Sequence, residues 1–263
     1  MNNRVWMFWE EETEPNPHVR CQPQPVWAKL TTAMVQYMMP DRVTVLNRES
    51  FERDWWQDDR ENLSLDGWSP MAMSDFIRAY LLKAHGGLWL DTDVFILKPL
   101  EPILEMLQTY ASDFIAYAMP GNSGKYWQTA LVASRAGSSI ATMWYERQIE
   151  LLQNRHRSAD GSITGPRLLS ECIRKVQKED PEQFHCLSFR QVHPVPWGQP
   201  SMDFFWAERD DDEHEKYVHE DALCYNLTHP VFDEVWDWDV DRWKTSRTFA
   251  AYLFRRGLFK EDA

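Results

Sequence analysis

The sequence predicts an α/β fold with a mostly parallel central sheet flanked by helices. Short apolar runs rich in β-branched or aromatic residues alternate with segments of helical periodicity, the β-α-β-α order that sets consecutive strands parallel. The chain has 263 residues, which suits one large domain or one domain with an appended lobe, and an apolar fraction of 43%, ordinary for a packed core. Its clearest helix runs through a Gly-Gly stop into an apolar strand that ends on acids, and α/β sheets place their ligand crevice at strand carboxyl ends.

Val5 to Trp9 is a short apolar run closed by an acidic, Pro-bearing turn, as a first buried strand is. Val26 to Met39 has helical periodicity and stops at Pro40. Arg42 to Leu46 is β-branched and strand-like, and Ser50 to Trp56 reads as a short helix. In the next helix Ser69 is the N-cap and Pro70 the first helical residue, and the run to His85 is closed by Gly86 and Gly87. Leu88 to Leu90 is a strand ending at Asp91-Thr92-Asp93. Val94 to Leu97 continues extended, and a helix begins around Pro99. Phe114–Ala118 and Thr129–Ala133 read as strands, and Ser138–Leu152 and Pro166–Gln177 as helices. Beyond Glu182 the pattern weakens. The acidic run Glu208–Glu215 reads as a solvated mobile loop. Arg242–Lys260 holds six basic residues and no acidic one, and reads as a closing helix; the alternative is a weak peripheral contact with a membrane surface or lipid acceptor.

Charge narrows the function. A net charge of −13, with no long basic tract, excludes nucleic acid as a partner and leaves a nucleotide diphosphate in need of a screening cation. Cys21, Cys172, Cys186 and Cys224 are scattered without metal-binding spacing and read as reduced thiols. The amino-terminal apolar run is too short for a signal peptide, and no stretch approaches the roughly 20 apolar residues of a membrane span. The expected location is therefore cytoplasmic. Fourteen Trp residues exceed ordinary usage, and such rings serve cores as well as clefts that bind sugars or bases.

The candidate chemistry lies between Ser74 and Asp93. Asp91 and Asp93 form a DxD pair after a strand, where two carboxylates converge on a hard cation such as Mn²⁺ or Mg²⁺ and leave positions for phosphate oxygens and water. On the preceding helix Ser74, Asp75 and Arg78 share one stripe at spacings of three and four. An acid that accepts from hydroxyls and an arginine that grips phosphate oxygens suit a nucleotide-sugar donor; the alternative is an exposed ion pair. Thr164-Gly165-Pro166 reads as a helix start, and its free N–H groups equally suit an anion or hydroxyl. His229, before Pro230, reads either as a structural residue or as a further metal ligand.

The order Ser74-Asp75-Phe76-Ile77-Arg78, Leu81-Leu82, Gly86-Gly87-Leu88-Trp89-Leu90-Asp91-Thr92-Asp93, Leu97-Lys98-Pro99-Leu100 resembles the DxD sugar-binding region of glycosyltransferase family 32. Weaker echoes are Trp6-Met7-Phe8-Trp9, the Thr164-Gly165-Pro166 turn and His229. The resemblance implies a single GT-A-like domain over 1–263, with a nucleotide-sugar half (1–135) and an acceptor half (136–263). It implies a metal-dependent, retaining hexosyltransferase using a UDP-sugar or GDP-mannose and a surface-glycan or lipid-linked acceptor, as in polysaccharide biosynthesis. Asp75 is expected on ribose or sugar, Arg78 on phosphate or sugar, Asp91 on ribose, sugar and metal-bound water, and Asp93 on the metal, with His229 completing the shell. Ser74, Gly86, Gly87, Thr164 and Gly165 line the donor, and Trp9 or a neighbour stacks on the base. Trp89 stands where the family usually has Tyr, so a phenolic hydrogen bond is lost or taken over by the indole N–H. Two rivals remain: a haloacid-dehalogenase-type phosphatase with Asp91 as nucleophile, and a non-catalytic nucleotide-sugar-binding module.

Overall fold

The computed structural model describes residues 4–10, 24–57, 63–109, 112–118, 126–153, 164–192, 204–227 and 235–258. In chain order the elements are β1 (Val5–Phe8), α1 (Val26–Met38), β2 (Val43–Leu46), α2 (Arg48–Asp54), α3 (Pro70–Ala84), β3 (Gly87–Leu90), β4 (Val94–Ile96) and α4 (Glu101–Thr109). They continue with β5 (Phe114–Tyr117), β6 (Leu131–Ser134), α5 (Ser139–Gln153), α6 (Pro166–Glu179), a 3₁₀ turn (Pro181–Gln183), β7 (Phe184–Leu187) and α7 (Phe189–Val192). The last are α8 (Asp211–Glu215), β8 (Cys224–Asn226), α9 (Val240–Thr245) and α10 (Phe249–Leu258). His229 and Cys21 lie outside the described residues.

Two compact units emerge, one formed by residues 1–10, 42–91 and 101–187, the other by 11–41, 92–100 and 188–263. The first holds a six-stranded sheet in the order β2-β1-β3-β6-β5-β7. β1 pairs in parallel with β2 and β3, and β5 with β7, while β6 runs antiparallel between β3 and β5. Five strands thus share one direction. The sheet is thus mostly parallel and helix-flanked, with β6 as its single reversed strand.

The four inner strands β1, β3, β5 and β6 are buried along their whole length, which explains their continuous rather than alternating apolar pattern, while the edge strands β2 and β7 are only partly buried. α3 packs among the sheet, α5 and the aromatic residues Phe51, Trp56 and Tyr145, so ten of its residues, from Ala72 to Leu82, are buried. A helix covered on nearly all sides is apolar on nearly all sides. Asp75 and Arg78 are the exceptions.

α3 starts as expected, with the Ser69 side chain accepting from the Ala72 N–H. α2 begins two residues earlier than expected, because Asn47 and Ser50 cap each other's backbone N–H groups. The Gly86-Gly87 turn has φ values of 67° and 102°. A Cβ on Gly86 would lie 2.6 Å from the Ala136 nitrogen, and one on Gly87 2.6 Å from the Arg4 carbonyl oxygen, so backbone approach demands both glycines.

The second unit carries a two-stranded antiparallel sheet of β4 and β8, with α1 and α10 packed on it. It corrects two expectations. The acidic run is no mobile loop: Asp211–Glu215 is helical, and its acids pair with arginines from the carboxyl-terminal segment. Asp210 meets Arg247 at 2.7 Å, Asp211 meets Arg255 at 2.6 Å, and Glu215 bonds Arg256 and Tyr252. Arg242–Lys260 is not one closing helix either, since Ser246 breaks it into α9 and α10. The apolar face of α10, including Phe249, Leu253 and Phe254, is buried. No helix among the described residues is long and apolar enough to cross a membrane.

Candidate active site

The first unit gathers Ser74, Asp75, Arg78, Trp89, Asp91 and Thr164 into one hydrogen-bonded group, with Gly165 packed against Asp75. α3 supplies Asp75 and Arg78 from adjacent turns, both 3% exposed, so the exposed ion-pair reading is excluded. Arg78 Nη1 donates to Asp75 Oδ1 at 2.6 Å. Arg78 Nη2 donates to Asp91 Oδ1 at 2.5 Å and to Ser74 Oγ at 3.3 Å. One guanidinium thereby ties together two carboxylates sixteen residues apart in sequence.

Asp91 leaves the carboxyl end of β3 and is fixed there by its own N–H, which donates to the Ala130 carbonyl at 2.8 Å. Trp89 Nε1 donates to the same Asp91 Oδ1 at 2.6 Å. The Trp89 ring also lies against the Arg78 guanidinium, 4.8 Å from ring centroid to Cζ. Asp91 Oδ2 accepts no hydrogen bond among the described residues, and the side chain is 28% exposed. That oxygen is the open end of the network.

Asp75 Oδ2 accepts from Thr164 Oγ1 at 2.9 Å, which brings the Thr164-Gly165-Pro166 turn onto α3. Gly165 is required there, because an added Cβ would lie 2.6 Å from Asp75 Oδ2. The turn is anchored from behind: Gln148 Nε2 and Trp144 Nε1, both on α5, donate to the Thr164 carbonyl at 2.6 and 3.1 Å. These two residues escaped the sequence reading. A fully buried glutamine four residues after a buried tryptophan leaves only a polar break in an apolar helix face as its signal.

Burial pushes the Asp75 carboxyl up to about 7, with Asp91 acting in the same direction, while Arg78 and the Thr164 hydroxyl pull it down. With Asp75 ionised the cluster holds two negative charges against one positive, and it attracts hydroxyl donors or a cation at Asp91. Arg78 Nε is buried without a hydrogen-bond partner among the described residues, so the arginine retains an unmatched donor.

The other expected site residues lie outside this hydrogen-bonded network. Gly86 and Gly87 sit at the amino end of β3, opposite Asp91, and serve the turn from α3; Trp6 Nε1 donates to the Gly86 carbonyl at 2.8 Å. Trp9 follows β1, which runs parallel beside β3, so it leaves the sheet at the same end as Asp91. Asp93 belongs to the second unit, where its carbonyl accepts from the Leu227 N–H at 2.9 Å. For a divalent cation the chemistry of Asp91 fits, in that its Oδ2 is an open, hard carboxylate oxygen. No group of three or more potential protein ligands occurs among the described residues, so water and donor phosphate would fill most positions, as they commonly do on Mg²⁺.

Two acids organised by one buried arginine thus stand at the carboxyl end of a central strand, in a residue order similar to glycosyltransferase family 32. The chain belongs to the capsular polysaccharide synthesis protein family, whose model matches residues 1–179. Among solved structures it is similar to the PaToxG glycosyltransferase, at 12% identity over 68% of this chain and 70% of that one, with a TM-score of 0.44. A glycosyltransferase involved in glycosylating the major capsid of PBCV-1 matches at 13% identity over 86% and 95%, TM-score 0.47. Mouse xyloside xylosyltransferase 1 matches at 10% identity over 88% and 99%, TM-score 0.45. No curated protein matches the chain.

Proposed function

We propose that this glycosyltransferase moves a hexose, with retention of anomeric configuration and in the presence of Mn²⁺ or Mg²⁺, from a UDP-sugar or GDP-mannose to a surface-glycan or lipid-linked acceptor. The observation that supports it most is the buried Asp75–Arg78–Asp91 network ending on the open Asp91 Oδ2. A divalent cation held by Asp93, with Asp91 beside it in sequence, would screen the donor diphosphate and stabilise charge growing on the leaving group. His229 is the further ligand of this reading.

The chain's own residues position the donor. Asp91 Oδ2 accepts from a ribose or sugar hydroxyl, and Asp75, when ionised, offers a second acceptor from the floor of the site. Arg78 holds both carboxylates in register, and its positive charge lies where negative charge develops on the departing phosphate. Because the guanidinium is buried and already oriented, little reorganisation accompanies that stabilisation. Trp9 at the same sheet end is the ring proposed to stack on the base. In retention the acceptor hydroxyl attacks the anomeric carbon from the leaving-group face, and the departing phosphate oxygen takes its proton.

The test is release of nucleoside diphosphate from UDP-, GDP- and TDP-sugars with Mn²⁺ or Mg²⁺ against EDTA, for the wild type and Asp93→Asn. Metal-dependent release from one donor, lost in the variant, is the expected result. Silence across the panel by folded protein, together with no donor binding, would refute the reading. Phosphate release without any nucleotide requirement would move the chain to the phosphatase class.

A further inference from the structure

Thr31 and Thr32 follow one another on α1 in the second unit, but only Thr31 reaches beyond its helix. Thr32 is half-buried, and its hydroxyl donates back to the Ala28 carbonyl at 2.8 Å, a bond that helical threonines commonly make. Thr31 is fully buried. Its hydroxyl lies 3.0 and 3.2 Å from the Ala28 and Trp27 carbonyls, and it has a third acceptor closer than either: the Thr92 carbonyl, 61 residues away in sequence, at 2.5 Å. Thr92 belongs to the same unit, where α1 packs on β4.

A hydroxyl carries one proton, and the acceptors in reach do not need it equally. The Ala28 and Trp27 carbonyls already accept from backbone N–H groups one helical turn on. Thr92 is buried, and Thr31 is the one donor to its carbonyl among the described residues. A buried carbonyl left without a donor is costly, so the bond to Thr92 is the one the structure needs. The contacts with Ala28 and Trp27 keep Thr31 in the rotamer that makes it.

Thr92 is the residue between the two acids of the DxD pair. Its carbonyl and the Asp93 nitrogen share one planar peptide unit, so a bond that fixes the oxygen fixes the plane from which Asp93 leaves. The following plane is fixed as well, because the Asp93 carbonyl accepts from the Leu227 N–H at 2.9 Å, at the head of the β4–β8 ladder. With both flanking planes anchored, φ and ψ of the half-buried Asp93 are set, and with them the direction of its side chain. One anchor is backbone; the other is the Thr31 hydroxyl. We propose that Thr31 is a positioning residue of the donor site, whose hydroxyl aims the Asp93 carboxylate at the divalent cation. The inference rests on the metal reading of Asp93 given above.

The experiment measures metal affinity rather than turnover. The full chain is titrated with Mn²⁺, alone and with UDP or GDP, and the free ion is followed by electron paramagnetic resonance; the binding that Asp93→Asn abolishes is that of the site. Thermal melts show that each variant is folded. Thr31→Val keeps the shape of the side chain but lacks the hydroxyl, and is expected to weaken Mn²⁺ about tenfold, the lower end of what loss of an outer-shell partner does. Thr31→Ser restores the donor and should bind close to wild type, and Thr32→Val, which loses only a bond within the helix, should match wild type. Thr31→Cys offers a weak S–H donor and should fall in between, which keeps the test open if the valine variant does not fold. Wild-type affinity in folded Thr31→Val or Thr31→Cys overturns the inference, as does a Thr31→Ser or Thr32→Val variant as weak as Thr31→Val. A wild type that binds no Mn²⁺ with or without nucleotide refutes the metal reading and this inference with it, whereas unaltered binding in the Thr31 variants refutes the inference alone, so the two failures are distinguishable.

Discussion

Gly165→Ala tests the site at its tightest contact. The new Cβ would stand 2.6 Å from Asp75 Oδ2, 2.9 Å from Oδ1 and 3.0 Å from Cγ. The carboxylate cannot turn aside freely, since Arg78 holds Oδ1 and the Thr164 hydroxyl holds Oδ2. Nor can the turn retreat without drawing the Thr164 carbonyl away from Trp144 and Gln148. Something must shift by several tenths of an ångström, and overpacking of this kind costs about 1–3 kcal/mol of stability. The larger effect is on turnover, because displacement by about an ångström at a positioning group lowers activity by up to roughly 10²-fold. We expect the melting temperature to fall by a few degrees and kcat/KM for nucleotide-sugar cleavage to fall about 10- to 100-fold. The assay is steady-state release of nucleoside diphosphate, paired with a thermal melt of the same preparation. Wild-type kinetics in a variant with an unchanged melt would refute the view that this turn clamps Asp75.

Three further predictions concern the same network. Arg78→Lys leaves one amine to serve two acids and a buried carboxylate unmatched, so stability should drop by about 3–5 kcal/mol, read by denaturant unfolding. Trp89→Phe removes the N–H that donates to Asp91 and should raise the donor KM, whereas Trp89→Tyr keeps a donor and should stay closer to wild type; a comparison of KM for the three proteins checks this. Asp75 has its carboxyl raised from 3.8 to about 7 in the folded protein, so folding favours its protonated form. Its contribution to stability is therefore complete below pH 3.8 and lost as pH rises through about 7, and unfolding curves of wild type and Asp75→Asn should diverge over that window, with the wild type losing stability relative to the variant.

Much of the fold can be read along the chain, because its signals are local. Ser69, Pro70 and the Gly86-Gly87 stop lie within a few residues of the backbone groups they satisfy or the turns they permit, so α3 and β3 follow from sequence alone. The position of Asp91 at a strand end follows with them. What a sequence leaves open is whether a polar stripe faces water or a second layer. Asp75 and Arg78 show the same spacing in an exposed ion pair as in a buried clamp, and only the packing of α3 beneath α5 decides between them.

Contacts between distant segments depend on the path of the whole chain. Thr164 reaches Asp75 across 89 residues, and Gln148 and Trp144 acquire their role only because that turn is brought to them. The reversed strand β6 between β3 and β5 is equally a matter of topology, since an apolar run carries no record of its direction. The acidic run and the carboxyl-terminal arginines follow the same logic: each read separately is a solvated charge cluster, and the ion pairs that join them span 37 to 44 residues. Sequence by itself determined the strand-end acids, the cap and the helix that bears Arg78, through interactions spanning a turn or two. Tertiary structure alone decided their burial, their mutual bonds and which oxygen remains open, because desolvation and long-range hydrogen bonds exist only once the layers close.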